Sequence, residues 1–275
     1  MTGTGEVRVG VSGWRYPSWR GDFYPQGLVQ RRELEYVASR MSSVEMNGSF
    51  YSLQRPSTFR TIVEQTPDDF PVAVKGGRYI THMLRLAGVE SALANFFASG
   101  VLALGEQLGP VLWQLRPDMA YDEQRLAAFL DLLPRTTRAA AQLAARHDDK
   151  LSGDRVLTEW AVDMPIRHAL EARHSSFGRH GALALLERHD VALVASDSPG
   201  TWPYFEERTA GFMYVRLHGH TELYASGYSS SSLDRWAEKA TGWRAEGLDV
   251  YVYFDNDARG RAPHDAVALL ERLSR

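Results

Sequence analysis

Short runs in which apolar and polar residues alternate recur along the chain, separated by segments with helical spacing. The clearest run is FMYVRLHG, residues 212–219, where Tyr214, Arg216 and His218 alternate with apolar residues. Because successive side chains of a β-strand point to opposite faces, this run predicts a strand with one apolar and one polar face. The arginine and the histidine on the polar face make it a candidate for lining a site.

Eight runs of this kind predict strands. They are residues 7–14, 43–51, 71–77, 109–117, 167–174, 190–198, 212–219 and 249–257. Strands that alternate with helices are typical of a parallel α/β sheet, and eight of them in 275 residues favour a single TIM-type (β/α)8 barrel over an open doubly wound sheet. Between strands four and five, residues 134–166 predict an added helical insertion. We therefore expect one domain over residues 1–275.

The alternation collects polar residues on one face of most strands. These residues are Glu45, Asn47, Lys75, Gln114, Arg116, Glu171, Arg173, Arg216 and His218. In a TIM-type barrel the outer face packs against helices and enzyme sites lie at the carboxyl ends of the strands, so we predict that this polar face lines the barrel mouth. The alternative is a network of ion pairs that only fills the interior, since buried charges need partners.

Loops are expected to add side chains at the same end. The loop of residues 13–28 is rich in aromatic residues, and its Trp14 and Tyr16 suit stacking on a ring-bearing ligand. The alternative for this loop is an Ω-loop packed on its own side chains. Later loops bring His82 and Tyr228 to this end.

Composition limits the partners and the location. The net charge of −3 argues against a large face for nucleic acid or acidic membranes. The absence of cysteine excludes disulfides and thiolate metal sites and favours the cytoplasm. The opening MTGTGEVRVG predicts no signal peptide, and no apolar stretch is long enough to span a bilayer. The sequence leaves the oligomeric state open.

Seven segments are distinctive in combination. They are VSGWRYPSWRGDFYP, VEMNGSFY, VKGGRYITH, GPVLWQLRP, LEARHSSF, YVRLHG and VYVYFDND. In this order they resemble the YecE-like family, also called the domain of unknown function number 72. The resemblance spans nearly the whole chain and implies a TIM barrel distantly similar to the xylose isomerase and apurinic-site endonuclease barrels, but no known reaction. The chain departs from the usual serine, proline, tryptophan and asparagine of that pattern at Gly48, Arg116, Phe177 and Asp255.

The polar set fits acid–base chemistry on a small anionic ligand. The predicted catalytic residues are Glu45, Glu171 and His218, with a carboxylate as general base and the histidine as its acid partner. The predicted substrate-binding residues are Trp14, Tyr16, Asn47, Lys75, His82, Gln114, Arg173, Arg216, Tyr228 and Asp255. We expect Arg216 to anchor a phosphate or carboxylate, and Glu45 or Glu171 to pair with it when no ligand is bound.

Three other interpretations stay open. Metal-assisted isomerase or endonuclease-like chemistry would use hard ligands such as Glu45, Glu171 and His174. Nearby lysine and arginine side chains would compete with a metal for these carboxylates, so we predict no metal and no cofactor. Nucleic acid, bound through mixed arginines and aromatic rings, is a less favoured partner because of the net charge. The third interpretation is a non-catalytic protein that senses an anionic ligand.

Overall fold

The computed structural model describes residues 5–274. Contacts divide them into two compact units. The terminal unit comprises residues 5–45 and 192–274, and the central unit comprises Met46–Val191. The expectation of a single domain stays a prediction.

Strands and helices alternate along the chain in both units. The strands are β1 (Val7–Val11), β2 (Val44–Met46), β3 (Val72–Lys75), β4 (Leu108–Gln114), β5 (His168–Glu171), β6 (Val191–Leu193), β7 (Ala195–Asp197), β8 (Phe212–Leu217) and β9 (Asp249–Phe254). The α-helices are α1 (Glu33–Ala38), α2 (Gly48–Tyr51), α3 (Pro56–Glu64), α4 (Glu90–Ala98), α5 (Glu123–Leu132), α6 (Thr137–Ala144), α7 (His180–Arg188), α8 (Ser230–Ala245) and α9 (Ala262–Leu273).

The strands form two sheets. In the terminal unit the strand order is β1-β9-β8-β7 and every pairing is parallel. The other sheet has the order β2-β3-β4-β5-β6, with parallel pairing of β3 with β4 and of β4 with β5. The parallel α/β class is confirmed. The strands of residues 5–274 are arranged as one sheet of four and one of five. The predicted sixth strand, residues 190–198, is divided at Val194 into β6 and β7, which lie in different sheets.

The predicted second strand, residues 43–51, is wrong in its second half. It ends at Met46, and the backbone of Asn47 is already helical (φ −88°, ψ −22°) before α2 begins at Gly48. The Ser49 hydroxyl donates to the carbonyl oxygens of Met46 (3.1 Å) and Lys75 (2.7 Å). These bonds satisfy backbone acceptors at the strand ends and favour the turn over a longer strand.

The predicted helical insertion, residues 134–166, is confirmed. Its helix is α6, whose first turn is capped by the Thr136 hydroxyl accepting from the backbone N–H of Ala139 (3.1 Å). Two backbone bonds close the base of the insertion, from Ile166 to the carbonyl of Arg135 (2.9 Å) and from Thr137 to that of Met164 (3.0 Å).

Trp113 of β4 is the centre of the apolar core in the central unit. It is fully buried, and its ring contacts those of Phe96 (5.5 Å between centroids) and Phe129 (5.3 Å). The indole N–H donates to Nδ1 of His168 (3.2 Å), and Nε2 of that imidazole donates to the carbonyl of Pro134 (2.8 Å). Burial lowers the pKa of His168 to about 3, so its ring is neutral and links β4 and β5 to the start of the insertion.

No helix within residues 5–274 is both long enough and apolar enough to cross a membrane.

Gly76 is a point where the core leaves no room for a side chain. A Cβ at this position would lie 2.2 Å from Cε3 of Trp113, whose packing prevents it from moving aside. We expect Gly76→Ala to lower the free energy of unfolding by about 1–3 kcal/mol, the usual cost of overpacking. Urea denaturation measures the change.

Gly48→Ala is the matched control in the same unit. The nearest atom to a Cβ there is the side-chain nitrogen of Gln54 at 3.6 Å, and alanine favours the first turn of α2. A Gly76→Ala variant as stable as Gly48→Ala would contradict the packing described for Trp113.

Candidate functional site

The ion pair of Glu45 and Arg216 lies at the centre of the polar face in the terminal unit. Both side chains are fully buried. Arg216 binds the carboxylate with two nitrogens, Nε to Oε2 at 3.1 Å and Nη2 to Oε1 at 2.8 Å. The Tyr214 hydroxyl donates to Oε2 (2.7 Å) and the Ser12 hydroxyl donates to Oε1. The carboxylate predicted to pair with Arg216 is thus Glu45, and it accepts four hydrogen bonds.

The predicted alternation of β8 explains this arrangement. Tyr214 and Arg216 are two residues apart on one strand, so their side chains share a face and reach the same carboxylate. Ser12 follows β1 and forms a parallel bridge with Glu45. Burial raises the pKa of the Tyr214 hydroxyl well above its ordinary value, and the charge of Glu45 adds to the rise, so the phenol stays a donor.

Asp255 and His218 extend this network. Oδ2 of Asp255 lies 3.0 Å from Nη2 of Arg216 and 3.1 Å from Nδ1 of His218. The Asp255 side chain is 15% exposed, whereas His218 is fully buried. The edges and faces of Trp202 and Tyr224 enclose the imidazole, each with its ring centroid 5.4 Å away. Asp255 is therefore the accessible carboxylate of the network.

Asp257 is a third carboxyl group at this place, and the sequence reasoning missed it. The residue is 8% exposed. Burial raises the pKa of its carboxyl well above the usual range, and the charge of Asp255 raises it further. The nearby Tyr16 hydroxyl and Arg216 act in the opposite direction, but less strongly than burial. Alternation could have found it, because Asp257 is two residues beyond Asp255 after the end of β9.

We call Glu45, Asp255 and Asp257, together with Arg216 and His218, the carboxylate cluster. It brings together four of the residues predicted for the site, namely Glu45, Arg216, His218 and Asp255. Its carboxyl groups outnumber its permanent cation, Arg216. The cluster is therefore suited to proton transfer or to polar neutral groups rather than to an anion, and Arg216 is already bound by carboxylates.

The loop of residues 13–28 packs largely on itself, in agreement with the Ω-loop alternative. Trp19, Phe23 and Tyr24 are buried and contact one another with centroid distances of 5.4–5.6 Å. Trp14 and Tyr16 are half-buried. The backbone carbonyl of Trp14 accepts from the Tyr24 hydroxyl, and the Tyr16 hydroxyl donates to the carbonyl of Ser12 at 2.6 Å. Trp14 and Tyr16 are thus more exposed than the three buried rings, and the Tyr16 ring contacts that of Trp19 with 5.0 Å between centroids.

Tyr228 lies in the interior of the terminal unit. It is 7% exposed, and its hydroxyl accepts from the backbone N–H of Gly219 (3.2 Å). Its own backbone N–H donates to the carboxyl of Asp265 (3.1 Å). These bonds hold the segment after β8 in place, so this tyrosine positions the loop in the geometry observed.

In the central unit, Glu171 and Arg173 form the second buried ion pair. Glu171 is fully buried, and its Oε1 accepts from Nε (3.0 Å) and Nη2 (2.9 Å) of Arg173. Both residues come from β5 and the segment that follows it, two positions apart, as the alternation predicts. Gln114, the neighbour of Glu171 in the sheet register, is 6% exposed.

Lys75 and His82 both contact the Phe50 ring. The Lys75 ammonium is 4.6 Å from the ring centroid, and the His82 imidazole meets the ring edge to face at 5.1 Å. Nδ1 of His82 is 2.9 Å from the Thr81 hydroxyl. Burial lowers the pKa of His82 to about 4, and the charges of Arg116, Arg173, Lys75 and Arg78 lower it further.

We call Lys75, Arg78, His82 and Arg173 the cationic cluster. Arg116, the family departure expected to add a cation, forms a two-nitrogen salt bridge with Asp118 at 2.8 and 3.1 Å, and both side chains are over two-fifths exposed. Asn47 lies half-buried at the start of α2. The sequence-predicted site residues thus fall into two groups of opposite electrostatic character, one in each unit.

Among residues 5–274, no three or more histidine, aspartate or glutamate side chains are grouped so that they would hold a metal ion.

Almost the whole sequence of this chain matches one protein family. Residues 8–275 match the profile of the family described as "Protein of unknown function DUF72". The chain belongs to the DUF72 family. The resemblance to the YecE-like family is therefore confirmed. A comparison with curated proteins finds no match.

Solved structures of DUF72 family proteins share this fold. One from Thermotoga maritima MSB8 has a TM-score of 0.78 and 24% identity, covering 98% of this chain and 100% of its own. One from Enterococcus faecalis V583 has a TM-score of 0.74 and 17% identity, covering 98% of this chain and 96% of its own. At these identities the similarity establishes the fold.

The variant Arg216→Lys tests how much the ion pair of the carboxylate cluster contributes to the stability of the fold. Lysine keeps the charge but loses the planar pair of donors that holds Glu45, so a buried carboxylate would lose hydrogen bonds. We expect the free energy of unfolding to fall by about 1–3 kcal/mol, measured by urea denaturation at pH 7.

The control is Arg208→Lys in the same unit. Arg208 is 3.6 Å from Glu246 in a pair in which both side chains are more than half exposed, so almost no change is expected. Equal stability of the two variants would show that the ion pair contributes little to folding.

Proposed function

We propose that this DUF72 protein binds a small anionic ligand, bearing a phosphate or a carboxylate, at the cationic cluster of the central unit. The observation that carries the proposal is the electrostatic environment of His82. Burial lowers the pKa of His82 most, and the charged groups Arg116, Arg173, Lys75 and Arg78, all cations, lower it further. An anion placed beside this imidazole would gain from all of these charges at once.

The side chains of the cluster are chemically suited to such a ligand. Lys75 and Arg173 are 7% and 9% exposed, so their charges are screened little by water. Arginine offers paired donors that match the oxygens of a phosphate or carboxylate, and lysine offers a point charge. Arg78 is exposed and supplies a further cation at the edge. A neutral His82 adds a ring nitrogen that donates or accepts.

Glu171 limits how the ligand is held. It binds Arg173 through one carboxylate oxygen, so this arginine is oriented before the ligand arrives. Preorganised donors bind more tightly, because less side-chain freedom is lost on binding. We keep the role of general base for Glu171 as a proposal, supported by its carboxylate being held in place by Arg173.

The other expectations are proposals too. Acid–base chemistry by Glu45 and His218 is supported by their place in the carboxylate cluster. The TIM-type (β/α)8 barrel is supported by the parallel alternation of strands and helices, and the cytoplasmic location by the lack of cysteine. The alternatives are metal-assisted isomerase or endonuclease-like chemistry, and a sensor that binds the same anion without changing it.

Inorganic phosphate is the probe for the cationic cluster. A bound anion offsets the cationic field, so it should raise the pKa of His82 from about 4 towards the ordinary 6.5 of histidine, by about one unit or more. Histidine ring resonances, followed by NMR between pH 3.5 and 8 with and without phosphate, report the shift. The exposed His180 of the same unit serves as an internal control and should not respond.

The variant Lys75→Gln tests the contribution of one cation of the cluster to phosphate binding. Removing this cation should raise the pKa of His82 without phosphate and weaken phosphate binding about tenfold, the usual loss for a hydrogen bond to a charged group. Arg60→Gln, at an exposed position of α3, should behave as wild type. If the pKa of His82 in the wild-type protein does not change when phosphate is added, the proposed anion site is wrong.

A further inference from the structure

Tyr51 presents an exposed aromatic ring next to the residues that carry the cationic cluster. At 68% exposure it is the most exposed of the large apolar side chains in residues 5–274, and it stands at the end of α2. Its ring meets that of Phe50 edge to face, with 5.1 Å between centroids. A fold gains little from a ring that stays in water, so this ring is available to a ligand.

Phe50 joins Tyr51 to the cationic cluster. The Lys75 ammonium is 4.6 Å from the Phe50 centroid, and the His82 ring contacts Phe50 with 5.1 Å between centroids. Tyr51 and His82 therefore touch the same ring at the same centroid distance, so they lie at most twice that distance apart. One small molecule can contact the exposed ring and the cluster together.

Arg78 is a cation beside the exposed ring. Its guanidinium carbon is 5.9 Å from the Tyr51 centroid, and the residue is exposed. Within residues 5–274 this guanidinium makes no hydrogen bond and no ion pair, so its N–H groups are available to a ligand. A stacking ring and a donor for an anion are thus adjacent on the surface of the central unit.

A π-helical turn follows Arg78 and adds exposed apolar side chains to the same segment. It runs from Tyr79 to Met83, both of which are exposed, and holds His82 half-buried against Phe50. The Lys150 ammonium is 5.6 Å from the Tyr79 centroid. Single π-helical turns recur at functional sites. Exposed rings accompanied by cations suit a ligand that is both aromatic and anionic.

The balance of charge in the cationic cluster selects the anion. The cluster contains three permanent cations, Lys75, Arg78 and Arg173, and Arg173 binds the carboxylate of Glu171. Cations thus outnumber the bound carboxylate. A phosphate monoester carries about −1.5 to −2 charges at pH 7, whereas a carboxylate carries one. The excess of positive charge therefore favours a phosphate monoester.

We propose that the central unit binds a nucleoside 5′-monophosphate, whose phosphate lies at the cationic cluster and whose base stacks on Tyr51. This assignment depends on the proposed function, because the phosphate occupies the same anion site. The ring and the cations are adjacent but distinct, and the ribose of such a ligand joins a base and a phosphate in that way. Stacking on a tyrosine accepts any base, so the surface selects the class of ligand and not one base.

The contribution of the base is measured with adenosine 5′-monophosphate and ribose 5-phosphate, which has the same sugar and phosphate but no base. In isothermal titration calorimetry at pH 7, adenosine 5′-monophosphate should bind at least about tenfold more tightly, a usual gain from stacking one base. Equal affinities, with His82 still responding to inorganic phosphate, would overturn the base site and leave the anion site in place. No binding of either ligand, with His82 unresponsive, would remove both.

Two substitutions of Tyr51 test the stacking ring. Tyr51→Leu removes the ring, so the affinity for adenosine 5′-monophosphate should fall about tenfold while that for ribose 5-phosphate stays the same. Tyr51→Phe keeps a ring and should retain the wild-type affinity for both ligands. If Tyr51→Leu binds adenosine 5′-monophosphate as tightly as the wild-type protein does, Tyr51 is not the stacking residue.

Trp160→Leu is the matched control for the exposed ring. Trp160 is also exposed in the central unit, and the guanidinium carbon of Arg138 is 5.9 Å from its ring centroid. That arginine is bound to Asp163 (3.1 Å), so its charge is already paired. The control should bind both ligands as the wild-type protein does. A loss of affinity as large as that of Tyr51→Leu would show that the base stacks without a defined site and would overturn the proposal.

Discussion

A charge placed in the interior of a parallel sheet needs a partner of opposite charge, and the terminal unit is organised around that requirement. Glu45 and Arg216 are both fully buried, and neither would be stable there alone. The Ser12 and Tyr214 hydroxyls donate the other two hydrogen bonds to the Glu45 carboxylate, so the end of β1 and β8 both hold this side chain of β2. Asp255 binds the guanidinium of the same arginine, and His218 in turn contacts Asp255, so the network extends outward from this pair.

The same requirement gives a different result in the central unit. Glu171 there pairs with Arg173, and the field acting on His82 is cationic. Arg216 binds both carboxylate oxygens of Glu45, whereas Arg173 binds a single oxygen of Glu171. Their surroundings also differ, since the terminal unit adds the carboxyl groups of Asp255 and Asp257 while the central unit adds the cations Lys75 and Arg78. A chain with a small net charge can thus contain local clusters of opposite charge.

Strand alternation predicted more than any single motif. It placed Tyr214 and Arg216 on one face and Glu171 with Arg173, and the structure shows both sets together. The alternation failed where the backbone leaves the extended conformation, so that side chains no longer repeat every two residues. The predicted strand of residues 43–51 ends early, at Met46. Asp257 was missed although the predicted strand of residues 249–257 includes it, because the alternation there was followed only as far as Asp255. Burial that depends on distant segments, as for the aromatic loop after β1, has no signal in a single stretch of sequence.

The closed base of the insertion between β4 and β5 has an evolutionary consequence. Backbone bonds between Arg135 and Ile166 and between Thr137 and Met164 join its two ends, and the imidazole of His168 holds the carbonyl of Pro134. Changes in length at the exposed residues 152–154 therefore need not be transmitted to the sheet. Descendants of this chain would be free to gain or lose residues there, or to accept a foreign segment, while the strands that carry both clusters keep their register.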